Sequence, residues 1–128
     1  MSHSYLSKSK DTYNSGEILR SKDMHNSSIH CYYYSCMQLC NHVIAVTESL
    51  SDKEIRELFR TAESHNETIN RIVKKAGLST RKALTVNLST LKNNRQIADY
   101  RNLSLGEPQS EESKDLCIEI TECLNRLL

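Results

Sequence analysis

Arg95, Asp99 and Asn102 are the polar groups whose type and spacing could do chemistry. Leu84, Leu88, Leu91 and Ala98 recur at spacings of four, three and seven, which is the rhythm of one helix face. Arg95 stands four residues past Leu91 and points the same way, with Asp99 and Asn102 following at four and seven. On an ideal helix these three fall within about a sixth of a turn. A guanidinium held by a carboxylate stays charged and can take a phosphate through two parallel hydrogen bonds. Asp99 would then orient Arg95, while Tyr100 and Arg101 would stand at the rim of a nucleotide- or RNA-binding cleft. The competing reading is structural: the same pair ties this helix to a neighbour. An exposed pair of this kind contributes only about 0.3–0.5 kcal/mol, and a buried one is a poor stabiliser by itself. The stripe therefore calls for a cleft, a subunit seam or a buried polar network.

Other reactive side chains have plainer explanations. Cys31, Cys36 and Cys40 share one stretch with His30 and His42, but Cys36 and Cys40 lie on an apolar stripe, where a thiol packs as a small hydrophobe. Zinc needs four converging ligands, so no metal and no cofactor is expected. Of the tyrosine run, Tyr32 and Tyr33 face inward and Tyr34 points elsewhere. His65 and Asn66 fall on an inner face, where each needs a partner because an unmet buried polar group costs about 1–3 kcal/mol. A hydrogen bond across to another helix is the expectation there.

The elements that must position these groups are helices. A 128-residue chain with three glycines and one proline has too few turn residues for a sandwich or a doubly wound sheet. The apolar positions Ile29, Tyr32, Tyr33, Cys36, Met37, Cys40, Val43 and Ile44 make one helix. "SDKE", Ser51 to Glu54, is a capping-box pattern opening a second. Ile55, Leu58, Phe59, Ala62, Ile69, Ile72, Val73 and Ala76 extend it to a stop at Gly77. The third runs roughly from Arg81 to Leu105, ended by Gly106 and Pro108. Ser110 is predicted to cap a fourth, with Leu116, Cys117, Ile120, Cys123, Leu124 and Leu127 as its buried stripe. Tyr5, Leu6, Tyr13, Ile18 and Leu19 suggest a fifth near the start. Short connectors favour antiparallel neighbours, hence one all-α domain over residues 1–128, an up-and-down bundle of four to five helices.

At these residues the sequence resembles the HEPN domain family, in particular its small stand-alone prokaryotic members. The resemblance lies in the tyrosine-rich "CYYYSCMQLCNHVI" (Cys31 to Ile44), in "SHNETINRI" (Ser64 to Ile72) and in "LKNNRQIADY" (Leu91 to Tyr100). It implies a helical bundle acting as a homodimer with a cleft between paired helices. It also implies a toxin–antitoxin or defence context, with a nucleotidyltransferase-like partner protein and RNA or a nucleotide as ligand. Many members are metal-independent ribonucleases with an arginine followed four to six residues later by a histidine. Here Arg95 is present, but no histidine follows His65; Asp99, Tyr100 and Arg101 stand in its place. Arg-x4-His does occur at Arg20/His25 and Arg60/His65, outside the motif helix and at a frequency that chance supplies. Cleavage without metal needs a base for the ribose 2′-OH and a cation for the phosphorane. Arg95 could be the cation, whereas an aspartate tied to it is a poor proton acceptor at neutral pH. The resemblance thus favours a binding or interaction module over a ribonuclease toxin.

A formal charge of +1 advertises no polyanion-binding surface. "MSHSYLSKSK" lacks the apolar run of a signal peptide, and no stretch approaches the roughly 20 apolar residues of a membrane span. A cytoplasmic protein with reduced thiols is expected.

Overall fold

The computed structural model describes residues 4–60 and 64–128, and Ala62 of the second predicted stripe lies outside them. The described residues form six helices and no strand: α1 (Ser4–Ser21), α2 (His25–Thr47), α3 (Asp52–Leu58), α4 (Ser64–Lys75), α5 (Leu78–Tyr100) and α6 (Glu107–Asn125). The all-α expectation holds. No helix among these residues is long and apolar enough to cross a membrane.

α2 is the centre. Ile29, Tyr32, Tyr33, Cys36, Cys40, Val43 and Ile44 are fully buried on it, and all but Ile29 join one core with Ile55 of α3, Ile72 of α4, Leu84, Leu88 and Leu91 of α5, and Cys117, Ile120 and Leu124 of α6. α1 packs antiparallel to α2, with Ser9 donating to the Ser35 carbonyl at 2.7 Å and Tyr32 donating to Glu17 at 2.6 Å. Gly16 allows this approach: a Cβ there would stand 3.0 Å from the Tyr32 ring and 3.2 Å from Cys31 Cβ. α5 also runs antiparallel to α2, and that pairing brings Asp99 to His30.

Four predicted boundaries are corrected. The Ser51 capping box forms, with Glu54 N–H donating to Ser51 Oγ and Ser51 N–H to Glu54 Oε1, both at 3.1 Å. The helix it opens ends at Leu58, so the predicted second helix is two, α3 and α4. Gly77 is the N-cap of α5 at φ −67° rather than a left-handed stop. The stop is Arg81, whose guanidinium donates to the carbonyls of Val73, Lys74 and Ala76 at 3.1–3.3 Å and so satisfies the end of α4. Finally, α5 finishes at Tyr100, five residues before the predicted end, and α6 begins at Glu107 behind Gly106. Pro108 is tolerated there because its missing N–H would have no partner in a first turn, and Ser110 lies buried inside the helix instead of capping it.

Candidate functional site

Arg95 enters the core on the Leu84–Leu88–Leu91 face of α5, and its side chain is only 7% exposed. What surrounds it is aromatic: the guanidinium carbon lies 4.7 Å from the Tyr33 ring centre, 5.7 Å from Tyr34 and 5.6 Å from Tyr100. Ring faces attract a cation by their quadrupole, most strongly where water is excluded. Asp99 Oδ2 stands 3.9 Å from Arg95 Nη1, the outer limit of an ion pair, and Arg95 Nε is buried with no acceptor among the described residues. The predicted inward Arg95–Asp99 pair is therefore present and long. The expectation of an arginine open to a phosphate is corrected, because three tyrosines cover it.

Asp99 has a closer partner that the sequence reading missed. His30 Nδ1 lies 2.8 Å from Asp99 Oδ2, across the α2–α5 contact. The Asp99 side chain is 18% exposed and that of His30 is 47% exposed. An ionised carboxylate only accepts, so Nδ1 donates to it, and in the neutral tautomer Nε2 is the remaining acceptor. A pocket of about 480 Å³ opens over this dyad, lined also by Asn26, Ser27, Cys31 and Ala98. Burial, and next the Asp99 charge, push the Cys31 thiol up, so it stays protonated beside the dyad.

His65 of α4 completes the arrangement. Its Nδ1 lies 2.9 Å from the Tyr33 hydroxyl, the cross-helix bond its inward position predicts. Burial pushes the Tyr33 phenol up to about 12, with Arg95 acting against that rise, so the phenol keeps its proton. Burial lowers His65, and the nearby Arg95 and Lys92 charges lower it further. Its ring is held neutral. Tyr34 is half-buried between the two histidines, its ring centre 4.6 Å from that of His30 and 5.6 Å from that of His65. Asn66, predicted to point inward, is exposed and accepts a hydrogen bond from Lys92.

Of the residues predicted for the site, Arg95 and Asp99 converge with Tyr100, which is 75% exposed with its ring centre 5.6 Å from the Arg95 guanidinium carbon. Arg101 and Asn102 do not converge. α5 has ended before them, and the extended backbone of Arg101 (ψ 148°) takes Asn102 off the helical stripe. The signal that could have identified His30 was present: it lies four residues before Tyr34, on the one side of α2 that the apolar pattern leaves unused. Free cysteines are found at all five positions, with Cys36 and Cys40 buried in the core as small hydrophobes. Asp23, His25 and Glu107 approach one another at the start of α2, but Arg20 donates to Glu107 at 2.5 Å and Ser110 holds His25 Nδ1 at 2.9 Å, so both are already engaged. Compared with known proteins, the chain matches no family model, no curated sequence and no solved structure, so what the cluster does has to be argued from its own geometry.

Proposed function

We propose that this chain is a HEPN-like RNA-binding module, an up-and-down helical bundle that works as a cytoplasmic homodimer. In this reading it belongs to a toxin–antitoxin or defence pair whose other member is nucleotidyltransferase-like. The observation that carries the RNA-binding part is the His30–Asp99 hydrogen bond beside a buried, ring-covered arginine. A half-exposed imidazole, an exposed tyrosine face and a fixed positive charge behind them suit a base stacked on Tyr100 and a phosphate near His30. Tyr100 is the only one of the three rings over Arg95 that is exposed, and its rotation would open the guanidinium to that phosphate.

A second reading, cleavage of RNA without metal, is favoured by the same dyad. The histidine missing from α5 has a counterpart in space, supplied from α2. His30 Nε2 would take the proton of a ribose 2′-OH as its oxygen attacks the adjacent phosphorus. The bond from phosphorus to the 5′-oxygen then breaks, leaving a 2′,3′-cyclic phosphate, and the departing oxygen takes its proton from water while the His30 imidazolium returns its own to solvent. Asp99 would hold the His30 tautomer and stabilise the imidazolium.

Fluorescence polarisation with labelled single-stranded RNA, followed by gel analysis in EDTA, separates the readings. Binding that is lost in His30→Ala and Tyr100→Ala supports the module, and a cyclic-phosphate product absent from His30→Ala supports cleavage. Wild-type protein that does not bind RNA would refute both.

A further inference from the structure

A second pocket, of about 600 Å³, lies at the far end of α2 between α1 and α3, and its chemistry is that of a phosphate subsite. Lys53, Arg56 and Arg60 line it with Tyr5, Phe59 and Asn41, against one acid, Glu57. Lys53 and Arg56 stand at i and i+3 on one face of α3, and Arg60 lines the same pocket from just past the end of that helix. No ion pair or hydrogen bond of theirs occurs among the described residues. Elsewhere several cations are engaged: Arg20 with Glu107, Arg71 and Lys75 with Glu48, Lys114 with Glu17, and Arg81 with backbone carbonyls. Burial holds the Tyr5 phenol protonated, so it adds a donor.

This pocket and the His30–Asp99 pocket open on the same side of α2. Asn41 lies eleven residues after His30, which puts the two about 16 Å apart and within about a tenth of a turn. Between them the seam carries Tyr34 and Gln38, all four residues falling within about a quarter of a turn. Gln38 Oε1 and Asn41 Oδ1 are buried and accept no hydrogen bond among the described residues. Buried acceptors without donors are costly, so turning either amide outward to meet a ligand's N–H groups gives up no hydrogen bond of these oxygens among the described residues. Tyr34 offers an aromatic edge on the same line.

From this juxtaposition we infer that one strand of RNA lies along α2, with a phosphate in the Lys53–Arg56–Arg60 pocket and base N–H groups donated to Gln38 and Asn41. The inference rests on the RNA-binding reading of the His30–Asp99 site and extends it to a second anchor too distant for the same phosphate to reach. A free strand is preferred, because in an A-form duplex the amino groups of A and C face a major groove too deep and narrow for these side chains to read.

The test is polarisation binding of fluorescein-labelled RNA of two, five and ten nucleotides, and of a ten-base-pair duplex, to wild type and Lys53→Gln/Arg56→Gln/Arg60→Gln. The exposed positions of these three residues make the triple variant safe for folding, and a thermal melt checks it. Wild type should bind the ten-nucleotide strand at least tenfold more tightly than the dinucleotide and than the duplex. The variant should lose about that tenfold and keep its dinucleotide affinity, and its log–log salt slope should be shallower by about 2, as expected for three strand contacts released. A variant that matches wild type at every length overturns the inference and leaves the proposed function standing. Equal loss at every length, or equal affinity for the duplex, overturns it as well. Absence of wild-type binding at any length removes both together.

Discussion

A single buried arginine separates two accounts of the centre of this molecule. If Arg95 chiefly neutralised Asp99, its removal would strand a carboxylate and cost about 3–5 kcal/mol. The geometry says otherwise, because Asp99 keeps His30 at 2.8 Å while Arg95 stands 3.9 Å away. The loss should come from the cation over Tyr33, and Arg95→Ala should lose about 2 kcal/mol in urea unfolding. Arg95→Lys should recover only part of it, since an ammonium lacks the flat guanidinium that covers a ring. A loss of 4 kcal/mol or more would return Asp99 to the centre of the account. His65 gives a test in pH. Its folded value lies below the ordinary 6.5, through burial and the charges of Arg95 and Lys92. Between the two values the unfolded chain binds more protons, so stability should fall as pH drops below 6.5 and show no His65 contribution above it. His65→Gln should flatten that slope in denaturation curves taken across the window. Glu17 and Glu48 act lower. Burial raises both, but Tyr32 and Lys114 bonds to Glu17, and Lys75 and Arg71 contacts to Glu48, lower them below 4.5, so their share is lost only as pH falls beneath that value.

Helices were legible where periodicity is strong and illegible where side chains act at a distance. The apolar stripe of α2, the Ser51–Glu54 box and the tail of α6 could all be read from spacing, because each is a local pattern. Splitting α3 from α4, and ending α4 with a guanidinium eight residues downstream of Val73, could not, since neither leaves a periodic trace. The same limit applied at the site: Arg95 and Asp99 share a helix and were found together, whereas His30 is 69 residues away in sequence and meets Asp99 only through the antiparallel α2–α5 packing. The α1–α2 contact gives a test at this scale. Ordinarily Gly→Ala inside a helix gains about 1 kcal/mol. At Gly16 the new methyl would meet the Tyr32 ring at 3.0 Å, and that ring is fully buried and tethered to Glu17. Gly16→Ala should therefore destabilise by about 1–2 kcal/mol, with the overpacking outweighing the propensity; a raised melting temperature would show that α1 can slide.

The assembly expected of the whole molecule is a homodimer, and its exposed apolar side chains suggest where to look. Ile18, Met24 and Leu103 are all exposed. They sit near the end of the bundle where Leu19, Asn26 and Ala98 frame the His30 pocket and where Leu105 N–H donates to Asn26 at 2.9 Å. Static light scattering at micromolar concentration should give twice the mass of the 14.7 kDa chain, and Met24→Glu/Leu103→Glu should give the single mass. A monomer in the wild type would refute the dimer.

One feature of the arginine's enclosure makes this protein its own optical reporter. There is no tryptophan, so its near-ultraviolet absorption, dichroism and emission come chiefly from six tyrosines. Three of those six, Tyr33, Tyr34 and Tyr100, lie within 6 Å of a single guanidinium carbon. A molecule that stacks on Tyr100 or turns it aside must alter a large part of the spectrum. Events at this centre can then be followed in unlabelled protein, with Tyr100→Phe as the spectral subtraction.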